Sequence, residues 1–185
     1  APGLAAGTYA CTITDANNCQ ITKNFTISQP TAINFTTTIL SGYDYNTGYN
    51  QTIVTSGGTG SKTYAVTAGS LPAGFSLSTA GQITGISTQI TDSNFMVTVT
   101  DDNSCTATYN YVLKLNQIPI TVTATPSQTK IYGESEPVLT YTVSPSLLTG
   151  DSFTGSLTRV SGENIGNYSI NQGSLSAGAK YLITY

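Results

Sequence analysis

Apolar residues alternate with polar or small ones along most of this chain, and nowhere do they recur at helical spacing over a useful length. A period of two marks a strand with one buried face. From Leu4 the run LAAGTYACTIT sets Tyr9, Cys11 and Ile13 at alternate places, and after a turn Cys19, Ile21, Phe25 and Ile27 continue the pattern. That is one hairpin, and an isolated hairpin is marginal in water. Gln29-Pro30 then punctuates the chain, because the residue before Pro avoids helix and Pro cannot donate to a ladder. Further strands are predicted over 33–39, 51–55, 62–67, 82–84, 94–100 and 106–115, linked by SGGTGS at 56–61, LPAG at 71–74 and TAGQ at 79–82. Short strands at regular spacing predict an antiparallel sandwich. Beyond Ile118-Pro119 a third stretch, opening ITVTATPSQTKIYGESEP, also reads as all-β. Its last strand stops without the polar turn that ended the earlier ones, which predicts a unit cut short.

The hairpin returns. TDANNCQITKNFTI (14–27) reappears as TDDNSCTATYNYVL (100–113), an offset of 86 residues, about one sandwich. Aligning Tyr9 to Ile27 with Phe95 to Leu113 gives seven identities, at Thr12, Thr14, Asp15, Asn17, Cys19, Thr22 and Asn24. The expected architecture is all-β, with tandem Ig-like β-sandwich modules in a linear array. It comprises a closing hairpin over 1–30, a whole sandwich over 31–117 and a β-sandwich or β-grasp-like module over 118–185. The two hairpin turns are expected to superpose, with Asp15 and Asp101 capping backbone amides of their own turns.

Composition narrows the function classes. Only 8% of the residues are charged, so hydroxyls and amides must serve the surface, as in secreted β proteins. The formal net charge of -3 and six basic residues scattered singly offer no phosphate-tracking stripe. Nucleic-acid partners are excluded on that ground. No apolar run approaches the roughly 18 to 20 residues of a membrane span. Ala1 starts neither a signal peptide nor an initiator Met, so the segment reads as internal to a longer chain.

Three stretches resemble known modules. LAAGTYACTITDANNCQITKNFTISQP resembles the C-terminal half of the SprB repeat of giant cell-surface adhesins of gliding Bacteroidetes, through AGTY, TDANxC and a closing QP in order. SGGTGSKTYAVTAGSLPAGFSLSTAGQITGI followed by FMVTVTDDNSC is similar to the "Putative Ig" family of cadherin-like sandwiches. Ser61-Lys62 and Ile86-Ser87 depart from that family's usual residues, in loops. KIYGESEPVLTYTV, LLTGDSFTGSLTR and GENIGNYSINQGSL resemble the bacterial MBG module of the YGX type. Together the resemblances imply a long outer-surface protein, exported by the type IX route and acting in adhesion or gliding. None of these families brings a catalytic residue to transfer.

The residues themselves point the same way. The chain has no His, which removes the commonest general base and the commonest metal ligand. Its carboxylates sit mostly in turns, as at Asp15, Asp44, Asp92 and Asp151, and are read as structural, with no catalytic, cofactor-binding or metal residue assigned. Glu134 and Glu136, in the GESEP turn, could hold backbone amides or a cation. Asp101, Asp102 and Asn103 form the densest oxygen cluster, echoed by Asp15, Asn17 and Asn18. Calcium needs six to eight oxygens, so turn capping is the first reading and calcium the second. Three cysteines leave at least one unpaired or paired outside the segment. If Ile13 faces Cys19, Cys11 faces Ile21 and the two thiols are diagonal neighbours about 7 to 8 Å apart, past comfortable disulfide reach. Cys19 is then expected to pair within the earlier half of its repeat, and Cys105 to be a buried free thiol.

Tyr43, Tyr45 and Tyr49 crowd one loop, SGYDYNTGYNQT, and mark the candidate contact for a sugar or partner. The expected function is a non-catalytic stalk of a surface adhesin, outside the cell and tied to the outer membrane through the full-length protein. Its partners would be neighbouring modules of the same chain and surface polysaccharide, with no cofactor. A glycan-binding module and an accessory segment of a secreted hydrolase are the rival readings.

Overall fold

The computed structural model describes residues 3–185, and among them there is no helix. The fold is all-β. Strands β1 (Gly7–Thr14) and β2 (Gln20–Ile27) form an antiparallel hairpin in a sheet of their own. Ten strands follow in the middle of the chain: β3 (Asn34–Phe35), β4 (Tyr43–Asp44), β5 (Gly48–Thr52), β6 (Thr55–Ser56), β7 (Lys62–Gly69), β8 (Phe75–Leu77), β9 (Gln82–Ile86), β10 (Ser93–Asp101), β11 (Thr106–Leu113) and β12 (Leu115–Asn116). They pair as β11-β10-β7, β5-β9-β8, β3-β6 and β12-β4. The long strand β10 alternates without a break, Phe95, Val97 and Val99 inward. They join Ile33, Leu40, Tyr43, Ile53, Tyr64, Ile83, Tyr111 and Leu113 in one core.

Two departures from the expected strands have simple causes. The predicted strand 33–39 keeps a ladder only at Asn34–Phe35, because the amides of Thr36 and Thr37 both donate to the Val54 carbonyl. The predicted strand 51–55 is two strands in different sheets: β5 pairs with β9, β6 pairs with β3, and Ile53, fully buried between them, marks the crossing. The middle of the chain is also not purely antiparallel, since β12 runs parallel to β4.

The last third contains β13 (Ile118–Ala124), β14 (Tyr141–Ser144), β15 (Thr158–Arg159), β16 (Ile170–Asn171) and β17 (Tyr181–Thr184). Here β13 is central, antiparallel to β14 and parallel to β17. Pro119 is tolerated in this strand because pairing with β14 begins only at Thr121. The core is smaller and built of two clusters, Ile120, Ala177 and Tyr181, then Val122, Leu157 and Leu175, with Val143, Phe153 and Ile183 packed against both. Long loops over 125–140 and 160–169 connect these strands, and of them Leu139 packs against the second cluster.

Candidate functional site

The two hairpins share one register. Ile13 pairs with Ile21 and Val99 with Ala107, Thr14 with Gln20 and Thr100 with Thr106, and the correspondence holds along both strands to Gly7 with Ile27 and Ser93 with Leu113. In each turn the first Asp caps its own loop. Asp15 Oδ1 accepts from the amides of Asn17 (2.8 Å) and Cys19 (2.9 Å), and Asp101 Oδ1 from those of Asn103 (2.9 Å) and Cys105 (2.8 Å). The fourth residue takes positive φ in both, 65° at Asn18 and 61° at Ser104.

What surrounds the two turns differs. Asp101 Oδ2 also accepts from the Thr59 amide at 2.8 Å, and Asp102 Oδ2 accepts from Ser61 at 2.9 Å, so the second turn is clamped to the SGGTGS loop. Gly60, at φ 66°, is required there, since a Cβ would collide with the Asp102 carboxylate. The Thr59 amide foremost, aided by Cys105 and Asn103, lowers the pKa of Asp101. These carboxylate oxygens face N–H dipoles, the inverse of a cation cage, and no cluster of three His, Cys, Asp or Glu suited to a metal occurs among the described residues.

The cysteines depart from expectation. Asp15 donates its amide to the Cys19 carbonyl, which closes a five-residue turn and places Cys19 inside it. Ile13 therefore faces Ile21, not Cys19, and Cys11 faces Lys23. Cys105 occupies the same place in the second turn and is exposed, not buried. All three thiols are exposed, and none is bridged to another of the three.

The tyrosine loop does not form a platform. Tyr43 is buried in the core, its hydroxyl donating to the carbonyls of Gln89 and Thr91. Tyr49 stacks on Phe75 at 5.1 Å and donates to Gln51 Oε1, and burial raises its pKa to about 12. Tyr45 lies under the Lys180 ammonium, 4.2 Å from the ring centroid, and so joins the middle of the chain to its last third.

That contact belongs to a joint. Only Lys114 and Gln117 lie between the successive strands β11, β12 and β13. Asn116 donates to Asp44, Gln117 donates to the carbonyls of Ala179 and Tyr181, and the Ile118 amide donates to Lys180. Lys180 is fixed from its far side by Asp151 at 2.8 Å, a carboxylate that also accepts from the Tyr181 hydroxyl.

A cluster that the sequence did not disclose lies in the last third. Arg159 donates to both Glu136 and Glu163, and Lys130 reaches the same two carboxylates at 3.0 and 2.8 Å. Glu134 takes no part. Arg159, then Lys130, holds the Glu136 carboxyl down at about 2, and Lys130 foremost lowers that of Glu163. The network ties the loop around Lys130 to the loop after Arg159, beside an open cleft of about 590 Å³.

An all-β chain with an Ig-like middle is the class that this fold defines. Residues 28–116 match the family described as "Putative Ig domain", and residues 120–185 the family described as "MBG domain (YGX type)". Comparison with curated proteins finds no match. Among solved structures, an α-galactosidase described as putative, from Bacteroides fragilis NCTC 9343, is 14% identical with a TM-score of 0.41, over 51% of this chain and 22% of its own. The protocadherin GammaB4 extracellular domain is 11% identical with a TM-score of 0.42, over 95% and 37%. Protocadherin Gamma B2 cadherin domains 1–5 are 11% identical with a TM-score of 0.44, over 94% and 45%. The chain thus spans less than half the length of each.

Proposed function

We propose that this chain is a non-catalytic spacer within a long extracellular adhesin, a stretch of serial β units that holds a more distant binding region away from the cell surface. The reading divides the chain at Pro30 and near Pro119, into a closing hairpin, an Ig-type sandwich and an MBG-type unit. The joint at Gln117 carries it. Two cores are connected by a strand path with almost no free torsions, and Gln117, Ile118 and Lys180 fasten that path to the far side. The sandwich and the last unit each bury their own apolar residues and meet at few points, the arrangement of a quasi-linear array.

The chemistry of the side chains supports an absence of catalysis. The two carboxylates that Lys130 and Arg159 bring together, Glu136 and Glu163, are both held ionised, whereas glycoside hydrolysis needs a carboxyl with a raised pKa as acid. Resemblance of the first hairpin to the SprB repeat extends the reading to gliding Bacteroidetes, with type IX export and a place on the outer membrane. Its immediate partners are then neighbouring units of the same chain.

Pulling the purified chain from its ends tests the array. Independent units give two separate unfolding events, with roughly 300 Å and roughly 230 Å of contour at about 3.4 Å per residue. A single event releasing both lengths together would contradict it.

A further inference from the structure

The cleft of about 590 Å³ beside the Lys130–Glu163 pair is formed by the loops 125–137 and 162–168. Its volume falls among those of small-molecule sites. Tyr132, in the YGESEP motif, lines it with 76% of its surface exposed and makes no hydrogen bond or aromatic contact with any described residue. Elsewhere the tyrosines of this chain are tied down: Tyr43, Tyr49, Tyr109 and Tyr111 pack and bond within the middle core. Tyr168, on the opposite wall, carries Arg159 over its ring at 4.9 Å and donates to the Asn164 carbonyl at 2.8 Å.

The polar groups along this cleft are of a particular kind. Asn164 and Asn167 line it, and their side-chain amides make no hydrogen bond among the described residues. Each offers a donor pair and an acceptor. Glu163 lines it with a half-exposed carboxylate that is already neutralised by Lys130 and Arg159. No cation is left over for a phosphate, sulfate or uronate, and no carboxylate for a cationic ligand. An exposed aromatic face, two free amides and a charge-balanced carboxylate match a sugar ring, whose C–H face stacks while its hydroxyls donate and accept.

We infer that this cleft is a binding site for a neutral oligosaccharide, with Tyr132 as stacking platform and Asn164, Asn167 and Glu163 as hydroxyl partners. The site lies away from the joint and does not depend on the spacer reading. It also moves glycan recognition from the 43–49 loop, where the tyrosines are occupied, to a loop where one is free. Fixing of both walls by Lys130 and Arg159 presents the partners in one geometry before the sugar arrives, which lowers the ordering cost of binding.

The test is an amide chemical-shift titration of the full chain with four probes: an α-linked glucan, a β-linked glucan and a β-linked galactan hexasaccharide, and a heparin-derived hexasaccharide, each to about 10 mM, tenfold above a weak millimolar affinity. Saturable shifts at Tyr132, Asn164 and Asn167 with at least one neutral probe are expected. Tyr132→Ala should weaken that binding tenfold or more while Tyr132→Phe retains it, and Tyr45→Ala should leave it unchanged. The Tyr132 side chain is solvent-exposed, so both variants fold, and the unperturbed remainder of the spectrum checks this. No shift with any neutral probe, shifts with the heparin fragment alone, or shifts centred on residues 43–49 would overturn the assignment.

Discussion

Asp101 shows how one side chain carries both a local and a long-range duty. Its Oδ1 caps the turn that follows β10, and its Oδ2 reaches the Thr59 amide in the loop that leads into the neighbouring strand β7. Asp15 has the same local bonds with no counterpart to Thr59. Asp101→Ala should therefore lower the melting temperature of the middle unit by several degrees, and Asp15→Ala should leave that transition in place, as followed by circular dichroism. Melting of the wild-type chain should not change on adding a chelator or millimolar calcium, because the carboxylates already face amide dipoles. The capping role was legible in the sequence, since Asp, Asn and Ser at these spacings favour that turn. The clamp was not, because it depends on Gly58 and Gly60 bringing a loop some forty positions away against the turn.

At the scale of elements, two hairpins of the same register live in opposite surroundings. Val99 and Tyr111 are 0% and 2% exposed, whereas their counterparts Ile13 and Phe25 are 65% and 55% exposed. The difference is the rest of the sandwich, whose Ile33, Leu40, Ile53 and Ile83 lie outside the β11-β10-β7 sheet and cover its inner face, while β1 and β2 form a two-stranded sheet with no such cover among the described residues. Leu113→Ala should thus cost the middle unit about 2 to 5 kcal/mol through a cavity. Ile27→Ala, at the same register position, should change its stability by less than about 0.5 kcal/mol. Chemical denaturation of the two variants measures both. Period-two alternation was enough to read both hairpins and β7, because apolar and polar residues alternate along each strand whether or not the apolar face is covered. It missed the sheet change at Ile53, the short β8 and the parallel pair of β13 with β17, since these depend on contacts between distant strands. The placement of Cys19 failed for a related reason: a five-residue turn shifts the facing residues by two, and alternation alone does not fix turn length.

Across the whole molecule the charges are few and are concentrated where parts must be held together. Lys130, Glu136, Arg159 and Glu163 bind two loops of the last third, and Asp151 with Lys180 sits at the joint. Glu136, Glu163 and Asp151 all titrate lower in the folded protein than in the unfolded chain, through Arg159, Lys130 and Lys180 respectively. Their contribution is therefore complete above about pH 4.5 and fades as the pH falls through the folded-state values, about 2 for Glu136. Melting of the last third should shift down between about pH 4.5 and pH 2, and Glu136→Gln should flatten that dependence. Lys180 over Tyr45 was beyond reach of the sequence, because nothing local to either residue signals the other.

A stiff joint at Gln117 is the claim on which the spacer reading rests, and a distance distribution across it is the direct measurement. Spin labels at Ser76→Cys and Thr142→Cys, both exposed, in a chain whose Cys11, Cys19 and Cys105 are replaced by Ser, report the separation of the two units by pulsed electron resonance. The predicted result is one narrow peak that broadens when Gln117 and Lys180 are both replaced by Ala. A broad, featureless distribution in the otherwise unaltered chain would show units that swing freely, and would contradict the account.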